Sequence, residues 1–426
     1  MLRIRIIRTA TVAVFLIYLL QVFSPLRLVG DGIDYLLQAS SAADGLGFYV
    51  HGQKSMRPSG YPLLIVGLIK IGIGKSWAIV ALNCLGVAIG CIAIYLISRN
   101  TFALTAEGSY VVSLLTMLSF VVVRQAAQPL SDICFFGLST TCLLLILRAE
   151  EHNARKSLLL SLAGVLLIFC IELRTIGIAL IPPLLWVLLG GMPTFQKIPT
   201  WVRNRRALSF TALLLALAGM VLLSADLLHS RYFQFNKPVF VHRGIVRGLL
   251  ANLGDHSREW GEITINLPAS KLPRELAIPV QCVGLLALLV FSVSLWTQRK
   301  RFTTMFLYMF CFSCIVLVYP WYDSRLWLPI IPFLFIYLFV GVRDSVNVNA
   351  RRALVAIWCI IYGLFGLAAL AYSTRLTFLS PEHFANTYGD GNLRSAYRLV
   401  YRLSTPNNVE IDKDAVYLLL RYGANQ

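Results

Sequence analysis

Charge is what this chain has least of. Only 14% of its 426 residues are Asp, Glu, Lys or Arg, against about a quarter in a soluble domain. With 58% hydrophobic residues, an ordinary soluble domain is excluded. Acids are scarcer still, 20 Asp plus Glu against 38 Lys plus Arg, for a formal net charge of +18. In a soluble protein that excess would point to nucleic acid. Here Lys and Arg gather at the ends of apolar runs, where they set orientation in a membrane, and no nucleic-acid partner is expected. The nine cysteines (84, 91, 134, 142, 170, 282, 311, 314 and 359) all fall inside apolar stretches, which excludes a disulfide framework of loops. "CFSC" at 311–314 has no companion pair with which to hold zinc. The six histidines are scattered. No N-x-S/T sequon, internal repeat or low-complexity tract is found. The missing sequon points mildly to a bacterial inner membrane over the endoplasmic reticulum.

What the chain does have is long apolar runs, and these predict an all-α polytopic membrane protein. Taking about 20 apolar residues per crossing, spans are expected near 9–25, 77–97, 105–123, 132–148, 157–173, 175–190, 207–228, 276–296, 302–319, 327–342 and 353–372, about eleven in all. The N-terminus has a basic start and an apolar run but a poor cleavage site in "QVFSPLRLVG", so an uncleaved first span is expected.

Orientation follows from the basic clusters. Arg3, Arg5 and Arg8, then "RAEEHNARK", "QKIPTWVRNRR", "QRKR" and "VRDSVNVNARR", occupy alternate connections. The positive-inside rule then places the N-terminus in the cytoplasm and the C-terminus outside. "PLLIVGLIKIGIG" (62–74) is too short to cross, and a crossing there would invert every later loop. It reads as interfacial or re-entrant. The first 372 residues form the membrane module, with large external loops at 26–76 and 229–275. Residues 373–426 form an external C-terminal segment. "RSAYRLVYRLSTP" within it reads as an amphipathic surface helix or a packed cap.

Ionisable residues at a membrane edge are functional candidates, and the predicted external side collects them. Asp31, Asp34, Lys54, Arg57 and Tyr61 come from the first loop. Arg124, Gln128 and Asp132 precede the fourth span. Glu172 and Arg174 interrupt an apolar stretch. Tyr322, Asp323 and Arg325 lie in "YPWYDSRLWLP". Spans one, four, six and ten would then ring one polar pocket. A carboxylate can take a proton from a hydroxyl, and Arg and Lys can hold phosphate oxygens. The set suits a lipid phosphate whose tail stays in the bilayer. Plainer roles exist for each: Asp31 and Asp132 as helix N-caps, Arg174 paired with Glu172, Arg325 paired with Asp323.

"GDGIDYLLQASSAADGLGF", "RPSGYPLLIVGL", "QPLSDICFFGLSTTCLLLILRA", "ELRTIGIALIPPLLWVLL" and "SRLWLPIIPFLFIYL" together resemble, in order, GT-C membrane glycosyltransferases. The likeness is to the protein-mannosyltransferase type and the lipid A aminoarabinose transferases, over roughly residues 9–190 and 300–342. The family's Asp-Glu is Asp31-Gly32 here, with a second acid at Asp34, and Ser59 replaces a proline.

The resemblance implies a GT-C-like fold with amphipathic juxtamembrane helices in the first external loop. It implies a sugar taken from a polyprenyl-phosphate donor and passed, with inversion, to an acceptor hydroxyl on the external face. The acceptor is a glycan, a lipid or a protein. On this resemblance Asp31 is the base, with Asp34 a second candidate. Lys54, Arg57, Arg174 and Arg325 are the phosphate ligands, and Tyr61 and Asp132 further substrate contacts. No metal and no cofactor is expected. The alternatives are a transporter or flippase for a lipid-linked glycan, or an O-antigen polymerase or ligase. The latter would use basic residues of 229–275 such as Arg231, Arg243, Arg247 and Arg258.

Overall fold

The computed structural model describes residues 2–55, 57–151, 153–190, 245–344, 348–404 and 410–423. The predicted span at 207–228 lies outside these residues. Helix α1 (Leu2–Leu20) runs into a 3-10 turn (Gln21–Phe23), and an extended stretch leads to α2 (Gly30–Ala43). A two-stranded hairpin follows, β1 (Tyr49–Val50) and β2 (Gln53–Lys54), antiparallel with Tyr49 opposite Lys54. Its two-residue turn is His51-Gly52, both at positive φ (51° and 72°). That is the type I′ geometry matching strand twist. Next come α3 (Gly60–Lys70), α4 (Ser76–Asn100), α5 (Ala106–Met117), α6 (Phe120–Ala126), α7 (Asp132–Glu151), α8 (Lys156–Leu173) and α9 (Ile181–Leu188). After the undescribed stretch come α10 (Ile245–Ile265), α11 (Ala277–Thr297), α12 (Thr303–Val318), α13 (Ile331–Arg343) and α14 (Val348–Thr377). Three short helices close the chain: α15 (Pro381–Tyr388), α16 (Gly391–Val400) and α17 (Lys413–Tyr422).

Six helices among the described residues are long and apolar enough to cross a membrane, or seven if α5 and α6 count as one span bent by 58°. Among the described residues, not every expected span reaches crossing length as a single helix. Thr175–Leu188, Thr303–Val318 and Ile331–Arg343 are apolar but shorter than 18 residues. Prolines explain part of this. Pro182 and Pro183 stand in the first turn of α9, Pro332 in that of α13, and a 3-10 segment precedes each. Proline lacks the N–H that an α-helix would need further in, so the helix begins there. Helix α3, at 11 residues, rises only about 16 Å, in keeping with a segment that does not cross.

The bundle closes through small residues, since apolar side chains gain little by leaving lipid for each other. On α4, Gly86 and Gly90 form a G-x-x-x-G pair against α7. A methyl on Gly137 of α7 would lie 2.7 Å from the Gly86 carbonyl, and one on Gly90 would enter the Phe136 ring. The bend between α5 and α6 is held by Asn266, just past α10. Its side-chain oxygen accepts from the Phe120 N–H at 2.7 Å, and its Nδ2 donates to the Leu118 and Tyr362 carbonyls at 2.8 Å each. This satisfies backbone groups that a break inside apolar surroundings would leave exposed.

The C-terminal helices pack on the first loop. Tyr397 Oη donates to the Leu26 carbonyl at 2.7 Å and accepts from the Leu28 N–H at 2.9 Å. Tyr422 Oη lies 2.9 Å from Ser40 Oγ, and Arg421 makes a forked pair with Asp44 at 2.8 and 2.9 Å. The "RSAYRLVYRL" segment is thus a packed cap, with Tyr397 fully buried. Arg27, 3% exposed, donates to Ser24 Oγ, to Ser373 Oγ and carbonyl, and to Thr377 Oγ1 at 2.7–3.0 Å. This ties the end of α1 to the end of α14. Burial lowers its guanidinium to about 10, against the opposing pull of Tyr388 and Tyr397.

Candidate active site

At the end of the bundle where α1 gives way to α2, three segments of the chain converge. Asp31 is the second residue of α2, and Asp34 lies one turn on along the same face. Neither carboxylate serves as the helix cap: Val29 occupies that position. Arg57, from the loop after the hairpin, bridges the two acids. Its Nη2 is 2.5 Å from Asp31 Oδ1, and its Nε donates to Asp34 Oδ2 at 2.9 Å. The other oxygen of Asp31 accepts from Arg325 Nη2, and Arg325 Nε contacts Asp323. Both Asp31 oxygens are thereby held by guanidinium groups, one from each side. Asp323 also caps its turn, accepting from the Arg325 N–H at 3.1 Å.

Burial works against the charges of Arg57 and Arg325, but the neighbouring carboxylates outweigh it and hold both guanidinium values above their ordinary level. For Arg57 these are Asp31 and Asp34, for Arg325 Asp323 and Asp31. Both arginines stay cationic at any physiological pH. The site remains open: the side chains of Arg57, Arg325, Asp31 and Asp34 are 30%, 20%, 24% and 40% exposed.

A second ion pair stands behind α2. Asp132 begins α7, is 3% exposed, and pairs with Arg174 at the end of α8. Ser131, beside it, shares a hydrogen bond of 3.1 Å with Tyr35 Oη of α2. Arg174 therefore pairs with Asp132, while the Glu172 carboxylate accepts from Ser59 Oγ at 3.2 Å. The backbone of Glu172 runs so close to Gly60 that a methyl there would meet its carbonyl at 2.5 Å. The "RPSGYP" element thus needs glycine to sit on α8. Gly32 meets a similar limit. A methyl on it would lie 2.9 Å from Pro129 Cγ, so the turn that carries Gln128 occupies the room a glutamate side chain would need.

Tyr61 is fully buried. Its hydroxyl donates to Asn83 Oδ1 at 3.3 Å and its ring meets Tyr35 edge-on at 5.5 Å. Asn83 in turn donates to the Ala126 and Gln128 carbonyls at 3.2 and 2.7 Å. Through Asn83, Tyr61 joins the first loop to the turn before α7. Lys54 lies exposed on β2. Gln128 Nε2 reaches Tyr388 Oη at 3.4 Å, and Arg124 is exposed at the end of α6.

Sequence reasoning missed the contribution of α10. The loop read from 229–275 contains a 21-residue helix, and its acids hold the segment bearing Arg325. Glu259 accepts from Trp327 Nε1 at 2.8 Å and from the Asp323 N–H, and lies 2.7 Å from His256 Nδ1. Glu262 accepts from Tyr322 Oη and from the Ala269 N–H, each at 2.5 Å. Glu259 and His256 are fully buried and Glu262 is 4% exposed. Burial raises the Glu262 carboxyl above its usual range, and the hydrogen bonds from Tyr322, Ala269 and Ser324 only partly oppose this. The available signal was "DHSREWGEI", acids at helical spacing around a tryptophan.

No protein-family model matches the sequence, and no curated protein matches it. Two solved structures are similar over nearly the whole chain. ArnT from Cupriavidus metallidurans bound to undecaprenyl phosphate superposes with a TM-score of 0.57 at 15% identity, covering 98% of this chain and 84% of that one. The apo state of the same protein gives 0.53 at 16% identity, covering 97% and 84%. The fold is that of ArnT. ArnT is a lipid A aminoarabinose transferase of GT-C type, one of the two kinds of enzyme that the sequence motifs resemble. At such low identity the ArnT likeness establishes architecture, and the residues of the site have to carry the chemistry.

Proposed function

We propose that the protein is an integral membrane glycosyltransferase. It moves a sugar from a polyprenyl-phosphate donor to an acceptor hydroxyl on the external face of a bacterial inner membrane. The observation that carries this reading is Asp31 held between Arg57 and Arg325 at the open end of an ArnT-like fold. ArnT itself is seen with undecaprenyl phosphate, a ligand with the anionic head and apolar tail that such a site fits. In this reading the N-terminus is cytoplasmic, the C-terminal helices are external, and residues 1–372 form the catalytic module.

The donor phosphate enters between Arg57 and Arg325, the two cations that face one another across Asp31. Each guanidinium exchanges a carboxylate oxygen for a phosphate oxygen, so Asp31 is released as the phosphate is held. Asp34 keeps its bond to Arg57 Nε and fixes the fork of that arginine. The acceptor hydroxyl oxygen then attacks the anomeric carbon from the face opposite the phosphate. The bond from that carbon to the phosphate oxygen breaks, its electron pair leaves with the phosphate, and Asp31 takes the hydroxyl proton. One displacement inverts the anomeric centre. Because the leaving phosphate already carries charge, its stabilisation by fixed cations is the main electrostatic demand. Lys54 and Arg174 stand as further cations for the donor, and Asp132 orients Arg174.

The test is turnover of a polyprenyl-phosphate sugar by membranes carrying Asp31→Asn. Loss of general-base help lowers kcat by about 100-fold or more. Unchanged consumption removes the mechanism, and a flippase would leave the donor unconsumed in wild-type membranes too.

A further inference from the structure

A second cationic site stands apart from the Asp31 cluster. Helix α10 ends at Ile265. The chain then folds back through Pro268, a 3-10 turn (Ala269–Lys271) and Pro273 into a second 3-10 turn (Arg274–Leu276), which starts α11. Between α10 and the start of α11 lies a cavity of about 460 Å³, lined among others by Arg258, Ser270, Leu272, Pro273, Arg274 and Val280. That volume is in the range of small-ligand sites, roughly 300–1,000 Å³.

Its two arginines make no ion pair among the described residues, neighbouring Asp255 and Glu275 included, and the two buried acids of α10 are already engaged. Glu262, one turn from Arg258 on α10, takes the Tyr322 hydroxyl and the Ala269 N–H. Glu259 takes Trp327 and the Asp323 N–H. Arg258 instead stacks over the Tyr322 ring, 5.4 Å to the centroid, and its Nε is buried with no hydrogen-bond acceptor. A buried N–H of that kind calls for a partner. Two guanidinium groups in one cavity call for an anion, most strongly one with several oxygens.

The place decides which anion. A candidate membrane span runs from Arg274 to Thr297, so the cavity sits where the chain enters the apolar layer. Just beyond it Leu276 is 42% and Ile278 72% exposed, the outward apolar surface that acyl chains cover. We propose that this cavity binds the phosphate of an anionic phospholipid, held by Arg258 and Arg274, as a site separate from sugar transfer. Arg258 lies over Tyr322, and the next residue, Asp323, pairs with Arg325, which reaches Asp31. A bound headgroup would steady that turn from its outer side.

Native mass spectrometry of the full-length protein in detergent tests this, with phosphatidylglycerol and phosphatidylcholine titrated separately. Wild type is expected to retain phosphatidylglycerol preferentially. Arg258→Gln and Arg274→Gln should each weaken that binding about tenfold, the loss of one charged hydrogen bond. Arg274 is exposed at the cavity mouth, so its variant tests the site without disturbing the core. Asp31→Asn should bind phosphatidylglycerol as wild type does, whether or not sugar transfer fails. Equal retention of both lipids by wild type, or undiminished phosphatidylglycerol binding in the double variant, overturns the proposal. A third arm uses inorganic phosphate alone. If it protects wild type from thermal unfolding as well as the lipid does, and fails with the double variant, the ligand is a free anion and the lipid assignment falls.

Discussion

Arg325 and Asp31 are 294 positions apart in sequence and in direct contact. The contact joins the turn before α13 to the first turn of α2, and so closes the ring of segments around the site. Arg325 also holds Asp323, so one planar guanidinium serves two carboxylates in fixed directions. Lysine would keep the charge but offers a single flexible point. Arg325→Lys should therefore lower kcat/KM for a polyprenyl-phosphate sugar by about 10- to 100-fold, the loss of one charged hydrogen bond. Steady-state assays in detergent would show it. A variant with wild-type kcat/KM would mean that the second contact is dispensable.

Asp132 and Arg174 should be felt in stability before activity. Their side chains are 3% and 18% exposed, so solvent screens the pair little. Removing one partner leaves a charge facing protein, at a cost of about 3 kcal/mol or more. Asp132→Ala should melt well below wild type in a detergent thermal scan. The double variant Asp132→Ala with Arg174→Ala should recover part of that loss. A double variant as unstable as the sum of the two singles would show that the groups are not coupled.

Asn266 combines three hydrogen bonds with a backbone φ of 63°. Replacing it by alanine strands the Phe120 N–H and the Leu118 and Tyr362 carbonyls, at a cost of about 2–4 kcal/mol. Glycine would relieve the backbone term alone. The expected order of melting temperature is wild type, then Asn266→Gly, then Asn266→Ala. If glycine melts as wild type does, the side-chain bonds do not brace the α5–α6 bend.

Glu262 gives a pH signature. Burial raises its carboxyl above the ordinary 4.5, so the folded chain keeps a proton that the unfolded chain has released. Its contribution to stability is full below that ordinary value. It declines as pH rises toward the folded value and is gone above it. The slope from this one group cannot exceed about 1.4 kcal/mol per pH unit. Glu262→Gln, which stays neutral, should flatten the melting temperature across that window. An unaltered pH profile in the variant would show that the group does not titrate there.

Several features were legible because they depend on local sequence. Scarce charge and long apolar runs identify a helical membrane protein before any coordinate is known. The Gly and Pro of "RPSGYP" mark a tight element at the start of α3, and the structure shows why: Gly60 lies on the Glu172 backbone. The cluster of Asp31, Asp34, Arg57 and Arg325 could be assembled from sequence because charged residues at the ends of apolar runs lie at similar depths. Helix lengths were less legible. Hydropathy counts apolar residues but does not distinguish one long helix from 3-10 turns and a proline start, as at Thr175–Leu188, or from a bend such as that at Leu118.

Pairing was legible only between close neighbours, such as Arg325 and Asp323. Composition places acids and bases at one membrane edge but says nothing of which meets which. That Arg174 takes Asp132, while Glu172 accepts from Ser59, depends on how α7 and α8 approach each other. That Glu259 and Glu262 support the Arg325 turn depends on α10 lying beneath it. The amino-acid sequence by itself determined a membrane-embedded helical chain with acids and arginines gathered at one edge, because transfer of apolar groups from water depends on local composition. Only the tertiary structure decided which arginine holds which carboxylate. Ion pairs and hydrogen bonds act over a few ångströms, and distances of that size between remote segments exist only once the helices have packed.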